Sequence, residues 1–191
     1  MNIEYEATFE NIDKDEYRQK LKDIGAELIY SEFLQTRIAF FLPKSNEIEG
    51  GWIRIRKEKD KNTMSIKIIE GPNIQDQKES CLEIDDFDEA KRFLELIGCE
   101  QKAYQETKRE LWKLDNVEIT IDEWPFLEPF IEIEGSSEKE VKAVSEKLGF
   151  DYDKAVFGSV AQLYSKKYKV SLEGINDQTP RIVFDMENPF I

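Results

Sequence analysis

The sequence predicts an α+β domain in which helices cover one face of an antiparallel sheet. Two observations support this prediction. Three segments carry a helix cap and an apolar stripe, and six short segments alternate apolar with charged residues. At 191 residues, with 40% hydrophobic and 12% aromatic side chains, the chain is long enough for one hydrophobic core. The aromatic content argues against disorder, although 36% of the residues are charged.

Each of the three main helices is predicted from a capping residue or an apolar stripe at its start and a glycine at its end. The segments are 13–25, 87–98 and 137–149. In the first, Asp13 is the expected N-cap because an acid and an apolar stripe follow it at helical spacing. A shorter fourth helix is predicted at about 159–168.

The predicted strands share one property, which is that apolar residues alternate with polar residues that are mostly charged. They are Ile3–Phe9, Trp52–Arg56, Ser65–Ile69, Gln105–Leu114, Val117–Asp122 and Ile131–Glu134. Alternation is expected when one face of an antiparallel strand is buried. The charged face is then either exposed to solvent or turned towards the inside of a barrel. Alternation alone does not show which of these two arrangements is present. The charges do sort by strand, with paired acids on the first and last strands and bases between them.

The composition excludes several classes of protein. Without any histidine there is no Ser-His-Asp or Cys-His catalytic site and no zinc site built on imidazole. Cys81 and Cys99 are too few for a disulfide framework. A net charge of −14 argues against nucleic acid or an anionic membrane as a partner. The N-terminus lacks the bases of a signal peptide, and the longest apolar run, Ile38–Leu42, is far below the ~20 residues that span a bilayer. We therefore expect a cytoplasmic protein.

A set of charged motifs recurs in a fixed order along the strands. They are Glu4-x-Glu6, Arg54-x-Arg56, Lys67 ahead of Gly71-Pro72, Arg109, Asp122 and Glu132-x-Glu134. In this order they resemble the motifs of the CYTH superfamily, the triphosphate tunnel metalloenzymes, which include class IV adenylyl cyclases, thiamine triphosphatases and inorganic triphosphatases. The stretches 121–135 and 157–168 are similar to the class IV cyclase-like branch in particular. The resemblance covers residues 3–168.

This resemblance implies a closed eight-stranded antiparallel barrel, a tunnel lined by the charged faces, with helices packed outside. The bases that it assigns to a triphosphate are Arg54, Arg56, Lys67, Arg109 and Lys167. The acids that it assigns to metal are Glu4, Glu6, Asp122, Glu132 and Glu134. Because carboxylates prefer hard, oxygen-binding ions, the expected cofactor is Mg²⁺ or Mn²⁺. We expect a tunnel domain at 1–169 and a C-terminal tail at 170–191 that packs on the barrel or an end of it.

Two positions depart from the family pattern. Thr8 and Thr107 stand where the family usually has lysine, and the first of these lysines is associated in some members with activating the attacking water. Three functions therefore remain open. One is a cyclase that converts ATP to cyclic AMP and pyrophosphate. The second is a triphosphatase acting on tripolyphosphate or thiamine triphosphate, and the third is a binding module without turnover. The resemblance also leaves a homodimer open.

Overall fold

The computed structural model describes all 191 residues, and its main element is an antiparallel sheet that curls round almost to closure. Its strands are β1 Asn2–Ile3, β2 Tyr5–Phe9, β3 Glu27–Phe40, β4 Gly51–Lys57, β5 Asn62–Ile69, β6 Gln77–Ile84, β7 Gln101–Leu114, β8 Val117–Glu123, β9 Phe130–Gly135 and β10 Arg181–Ile182. Hydrogen-bonded neighbours follow the order β1-β6-β5-β4-β3-β7-β8-β9-β2. The predicted α+β barrel is confirmed.

The N-terminal segment closes the barrel. β1 pairs with β6 and β2 pairs with β9, and these are the two ends of the path. Only Glu4 separates β1 from β2, and its backbone N–H donates to the carbonyl of Gln77 at 2.9 Å. The structure thus has ten strand segments rather than the predicted eight. Eight remain when β1 and β2 count as one strand and β10, which pairs in parallel with β7, is left aside.

Five helices pack around the barrel. They are α1 Lys14–Asp23, α2 Phe87–Leu96, α3 Glu138–Lys147, α4 Ala161–Tyr168 and α5 Leu172–Asp177. The predicted cap of α1 is present, because the Asp13 carboxylate accepts from the backbone N–H groups of Asp15 and Glu16. None of the helices combines the length and hydropathy of a membrane-spanning helix.

The largest hydrophobic cluster lies between the outer face of the barrel and helices α1 and α3. Leu21 of α1 and Val141 of α3 are fully buried against Ile119 and Ile133, whose side chains point outward from β8 and β9. Burying an aliphatic side chain of this size contributes about 1.5–3 kcal/mol. The apolar half of each alternating strand is therefore used outside the barrel, which leaves the charged half inside.

Two barrel strands, β3 and β6, are not among the six predicted from alternation. Sequence patterns also predict loose structure at 71–78 and after residue 169. In the structure, Gln77 and Lys78 belong to β6, and Ile74 just before them is buried. Beyond residue 169 the chain forms α5 and β10 instead of an irregular tail.

A second hydrophobic cluster joins the C-terminal elements to one end of the barrel. Ile175 of α5 and Ile182 of β10 are buried against Trp124 and Tyr164. The Tyr164 hydroxyl donates to the carbonyl of Pro125 at 2.7 Å. The segment from α4 to β10 therefore packs as a wall over that end.

Candidate functional site

The inside of the barrel is a single cavity of about 840 Å³. Its charged lining residues are Glu4, Glu6, Arg37, Arg54, Arg56, Glu58, Lys59, Lys61, Lys67, Glu79, Lys102, Arg109, Glu118, Glu132, Glu134, Glu173 and Asp177. The charged faces of the alternating strands therefore point inward, which is the alternative that the sequence pattern alone left open. Predicted site residues from β2, β4, β5, β7 and β9 meet in this one space.

Three of the predicted acids form a compact carboxylate cluster. Carboxylate oxygens of Glu4, Glu6 and Glu134 all lie within 4.8 Å of one another. The β2–β9 register sets Glu6 directly opposite Glu134. Glu4 precedes Glu6 by two residues and therefore lies on the same face. Oxygen donors at this spacing fit a hard divalent cation such as Mg²⁺ or Mn²⁺.

The other two predicted acids are held by Arg109 instead. Its guanidinium binds Asp122 through two hydrogen bonds of 2.7 Å and Glu132 through one of 2.6 Å. Asp122 is fully buried and also accepts from the Thr120 hydroxyl at 2.8 Å. The five acids thus divide into a cluster of three and a salt-bridged pair.

The pKa is raised for Glu6, Glu134 and Glu132, mainly by burial, and lowered for Asp122. Burial, together with repulsion from Glu132 and Glu4, raises the pKa of Glu6 well above its ordinary value. Burial and the neighbouring Glu4 raise the pKa of Glu134 to about 7. For Asp122 burial also acts to raise the pKa, but the attraction of Arg109 outweighs it and the pKa is lowered. The cluster therefore carries a mutual repulsion that a bound cation would offset.

These shifts predict how stability depends on pH in a chelating buffer. In the native state the pKa of the Glu134 carboxyl group is raised to about 7 from its ordinary value of 4.5, so the group keeps its proton to a higher pH than in the unfolded chain. Because the native state then binds more protons than the unfolded chain, the free energy of unfolding should fall as pH rises from ~5 to ~8. Urea unfolding across this range measures the trend, and Mg²⁺ should reduce it. Glu134→Gln should flatten the curve, and an unchanged slope in this variant would contradict the assignment.

The predicted bases on β4 and β5 lie next to acids inside the tunnel. Lys67 binds Glu4, with its Nζ 2.6 Å from Oε2, and Arg54 binds Glu79 at 3.0 Å. Arg56 lies 3.3 Å from a further acid, Glu58. The Nε–H of Arg54 is buried without a hydrogen-bond partner, and the Nε of Arg56 is the atom that faces Glu58, at a geometry that does not make a hydrogen bond. Donors of this kind suit the oxygens of a bound phosphate.

Arg37 is a further base in the tunnel that the sequence patterns did not identify. It lies on β3 opposite Arg56 and is only 6% exposed. It makes no salt bridge, and its Nη2 donates instead to Gln35 at 2.6 Å and to Thr107 at 3.1 Å. Its guanidinium lies 4.5 Å from the centre of the Trp124 ring. Burial and repulsion from the other tunnel arginines lower its pKa.

This arrangement explains one departure from the family pattern. Thr107 is fully buried and stands where the family usually has lysine, and Arg37 brings a positive charge to its hydroxyl. Thr8, at the other departure, is buried on β2 opposite Glu132, and its side chain brings no charge. Alternation could have indicated Arg37, because Gln35 and Arg37 are two residues apart in β3 and therefore lie on the same face of the strand.

Lys167 is not brought together with the other predicted bases. It is exposed on α4, and its Nζ binds the Glu128 carboxylate at 2.8 Å and the carbonyl of Phe126 at 2.9 Å. It does not line the tunnel. Arg37 therefore lines the tunnel and Lys167 does not.

The fold and the site together define a class of protein: a barrel whose interior holds eight bases, among them four arginines and Lys67, together with a carboxylate cluster, suited to a polyanion and a divalent cation. More specifically, the chain belongs to the CYTH domain family, whose model matches residues 2–158. The matched region covers the whole barrel except β10, and it ends before α4. Comparison with curated protein sequences found no match.

Several solved structures share this fold. A conserved hypothetical protein of Pyrococcus furiosus is 22% identical with a TM-score of 0.69, over 84% of this chain and 99% of that one. A candidate adenylate cyclase of Vibrio parahaemolyticus is 15% identical with a TM-score of 0.73, over 86% and 98%. The Hippeastrum protein HpAC1, described as having a dominant triphosphatase activity, is 13% identical with a TM-score of 0.56, over 89% and 99%. At these identities the likeness extends to the fold alone.

Proposed function

We propose that the protein is a metal-dependent enzyme that acts on a triphosphate-containing substrate inside the tunnel. The observation that carries the proposal is that one cavity holds four arginines and Lys67 together with the carboxylate cluster of Glu4, Glu6 and Glu134. The leading reaction is that of a class IV adenylyl cyclase, in which the ribose 3′-hydroxyl of ATP attacks the α-phosphorus and pyrophosphate leaves. The Vibrio neighbour is described as a candidate adenylate cyclase, which supports placing the cyclase reaction first.

The substrate's phosphates would lie among the tunnel bases. They are Arg37, Arg54, Arg56, Lys67 and Arg109. Arginine suits this role because its planar fork binds two phosphate oxygens at once. Each base except Arg37 already has an acid neighbour, so a bound phosphate would compete with those acids for the same N–H groups. Of these five bases, only Arg37 makes no salt bridge to a carboxylate.

The carboxylate cluster would hold the cofactor. Glu4, Glu6 and Glu134 supply oxygen donors, which fit Mg²⁺ or Mn²⁺. When bound, such an ion stabilises negative charge that develops on phosphate oxygens. Asp122 and Glu132 belong to the proposed site through Arg109, whose guanidinium they hold in place.

Hydrolysis of a triphosphate is the second candidate reaction. It is favoured by the Hippeastrum neighbour, which is described as having a dominant triphosphatase activity. Thr8 weighs against it, because no lysine amine stands at this position to activate a water molecule. A binding module without turnover remains the third alternative.

One incubation separates these functions. The purified protein is mixed with ATP, tripolyphosphate or thiamine triphosphate in the presence of Mg²⁺ or Mn²⁺, and the products are analysed by mass spectrometry. Cyclic AMP with pyrophosphate is the expected result. Orthophosphate alone would establish the triphosphatase. Cation-dependent binding without turnover would establish the binding module and refute the enzyme.

Two substitutions test the tunnel itself. Arg54→Ala removes two charged donors from the phosphate site and should weaken tripolyphosphate binding by about 10- to 100-fold. Glu134→Ala removes one of three carboxylates and should weaken the dependence of binding on Mg²⁺. Titration calorimetry measures both. Arg92→Ala is the matched control, since Arg92 is an exposed arginine on α2. If both tunnel variants bind as the wild type does, the site lies elsewhere.

The remaining parts of the proposal concern partners and location. We expect a small triphosphate ligand and no nucleic acid, because the net charge is −14 and the bases are enclosed in the tunnel. Both cysteines are free, which agrees with a reducing compartment such as the cytoplasm.

A further inference from the structure

The tunnel reaches solvent at the turn between β4 and β5. This turn comprises residues 58–61, and it is closed by the backbone N–H of Glu58, which donates to the carbonyl of Lys61 at 2.9 Å. Lys59 and Lys61 are both exposed, and both also line the cavity. Since a residue with both properties lies where the cavity meets solvent, the turn forms one mouth of the tunnel.

The acids of this turn are held by residues outside it, whereas its two lysines make no salt bridge. Glu58 accepts from the Thr63 hydroxyl at 2.8 Å and lies 3.3 Å from Nε of Arg56. Asp60 accepts from the Tyr30 hydroxyl of β3 at 2.5 Å, and it does not line the cavity. The two ammonium groups therefore remain available to an anion that arrives at the mouth.

Behind the two lysines, the bases of the β4–β5 hairpin continue inward as a row. Arg56 comes two residues before the turn, and Arg54 lies two residues, or ~7 Å, further along β4. Lys67 of β5 is opposite Trp52, which is two residues beyond Arg54. Lys67 in turn binds Glu4 of the carboxylate cluster. An anion that enters at this mouth therefore meets a base at each step towards the proposed cation site.

The end of the tunnel beside α5 has the opposite balance of charge. Glu173 and Asp177 of α5 are exposed and line the cavity there. Lys102 lies 3.0 Å from Asp177 and offsets one of these two acids. A polyanion that approaches this end meets a negative charge, and a chain with a net charge of −14 also repels it from most of its outer surface.

We propose that the triphosphate enters the tunnel at the β4–β5 turn, and that Lys59 and Lys61 speed its entry by electrostatic attraction. This entry route rests on the proposed function, because it takes the tunnel as the triphosphate site. The two lysines act on the ligand as it arrives, and the tunnel arginines and Lys67 hold it once it is bound. Charged clefts raise association rates by ~10- to 1,000-fold in this way, and the effect weakens as salt increases. Lys59 and Lys61 thus determine how fast the ligand binds rather than how tightly.

Stopped-flow tryptophan fluorescence measures the binding rates of tripolyphosphate in Mg²⁺, since Trp52 and Trp124 line the tunnel. The double variant Lys59→Gln/Lys61→Gln should associate about three- to tenfold more slowly than the wild type at ~10 mM ionic strength, where the Debye length is ~30 Å. At ~1 M salt the difference should shrink to less than about twofold, because the Debye length is then only ~3 Å. The dissociation rate should not rise, because the two lysines do not hold the bound ligand.

Two control variants separate the position of a charge from its contribution to the net charge. Lys139→Gln/Lys147→Gln removes the same two charges from exposed positions on α3 that do not line the tunnel. Glu173→Gln removes an acid from the end beside α5. Each should change the association rate by less than about twofold, because the ligand passes neither place. Thermal melting shows that each variant is folded.

Three results would overturn the entry route. One is an unchanged association rate of the turn variant at low salt, and the second is an equal loss in the α3 control. The third is a clearly faster association of Glu173→Gln, which would place entry beside α5. In each case the wild type still binds tripolyphosphate, and the proposed function stands. A wild-type protein that does not bind tripolyphosphate refutes the proposed function, and the entry route with it.

Discussion

Replacement of Arg37 by methionine is expected to stabilise the free protein and at the same time to weaken its binding of a triphosphate. The stability should rise by about 1–2 kcal/mol, because the variant no longer buries a cation that has no carboxylate partner and is repelled by neighbouring arginines. Gln35 and Thr107 lose a shared donor, but they lie 3.4 Å apart and can bond to each other. Methionine fills most of the vacated volume without a charge.

The same substitution removes a donor that is free to bind phosphate. Hydrogen bonds to charged groups contribute about 1.5–3 kcal/mol, which corresponds to roughly a 10- to 100-fold loss of tripolyphosphate affinity. Urea unfolding and titration calorimetry provide the two measurements. Arg92→Met on the surface of α2 should change neither. A loss of stability in Arg37→Met, or an unchanged affinity, would show that Arg37 serves the fold rather than the ligand.

Replacement of Arg109 by methionine is expected to have the opposite effect on stability. Asp122 is fully buried and Glu132 is largely buried, and both depend on this guanidinium for their counter-charge. Removing one partner of a buried ion pair costs about 3–5 kcal/mol, because the remaining charges are left uncompensated. Triphosphate binding should also be lost.

The pH dependence identifies the cause of this loss. In the wild type the lowered pKa of Asp122 contributes stability at neutral pH that disappears as the pH falls through that value. Without Arg109, burial acts alone and raises the pKa of Asp122, so at pH ~4 the carboxyl of the variant is protonated and no longer a buried charge. The difference between variant and wild type should therefore be large at pH ~7 and smaller at pH ~4. Urea unfolding at the two pH values measures it. Arg109→Lys should recover part of the stability, since it restores the charge but not the two-pronged geometry. A pH-independent deficit would instead indicate a packing defect.

Alternation along single strands predicted which charged residues of a strand lie together, because side chains two residues apart in a strand must share a face. This local rule accounts for Glu4 with Glu6 and for Arg54 with Arg56. The helix caps could be predicted for a similar reason, because a cap depends on neighbouring residues only. The charged face of a strand turns inward or outward according to how the whole sheet closes, and that choice came from the family resemblance rather than from alternation.

The division of the acids could not be predicted in this way. Glu6 meets Glu134, and Arg109 meets Asp122, through the registers β2–β9 and β7–β8. These registers depend on contacts between distant parts of the chain. Arg37 was missed because the end of β3 is dominated by the apolar run that follows it. Lys167 matched a family position in sequence, but the face of α4 on which it lies is set by tertiary packing.

The break in the N-terminal strand at Glu4 links the cation site to the integrity of the barrel. Glu4 bonds through its backbone to β6, whereas Glu6 lies beside Glu134 on the β9 side. A cation shared by these carboxylates would join the two edges of the sheet across its seam. Local opening of the seam would then have to release the ion, so the free energy of that opening would rise with the logarithm of cation concentration. Amide hydrogen exchange in β1, β2 and β6 would report the concentration of free Mg²⁺.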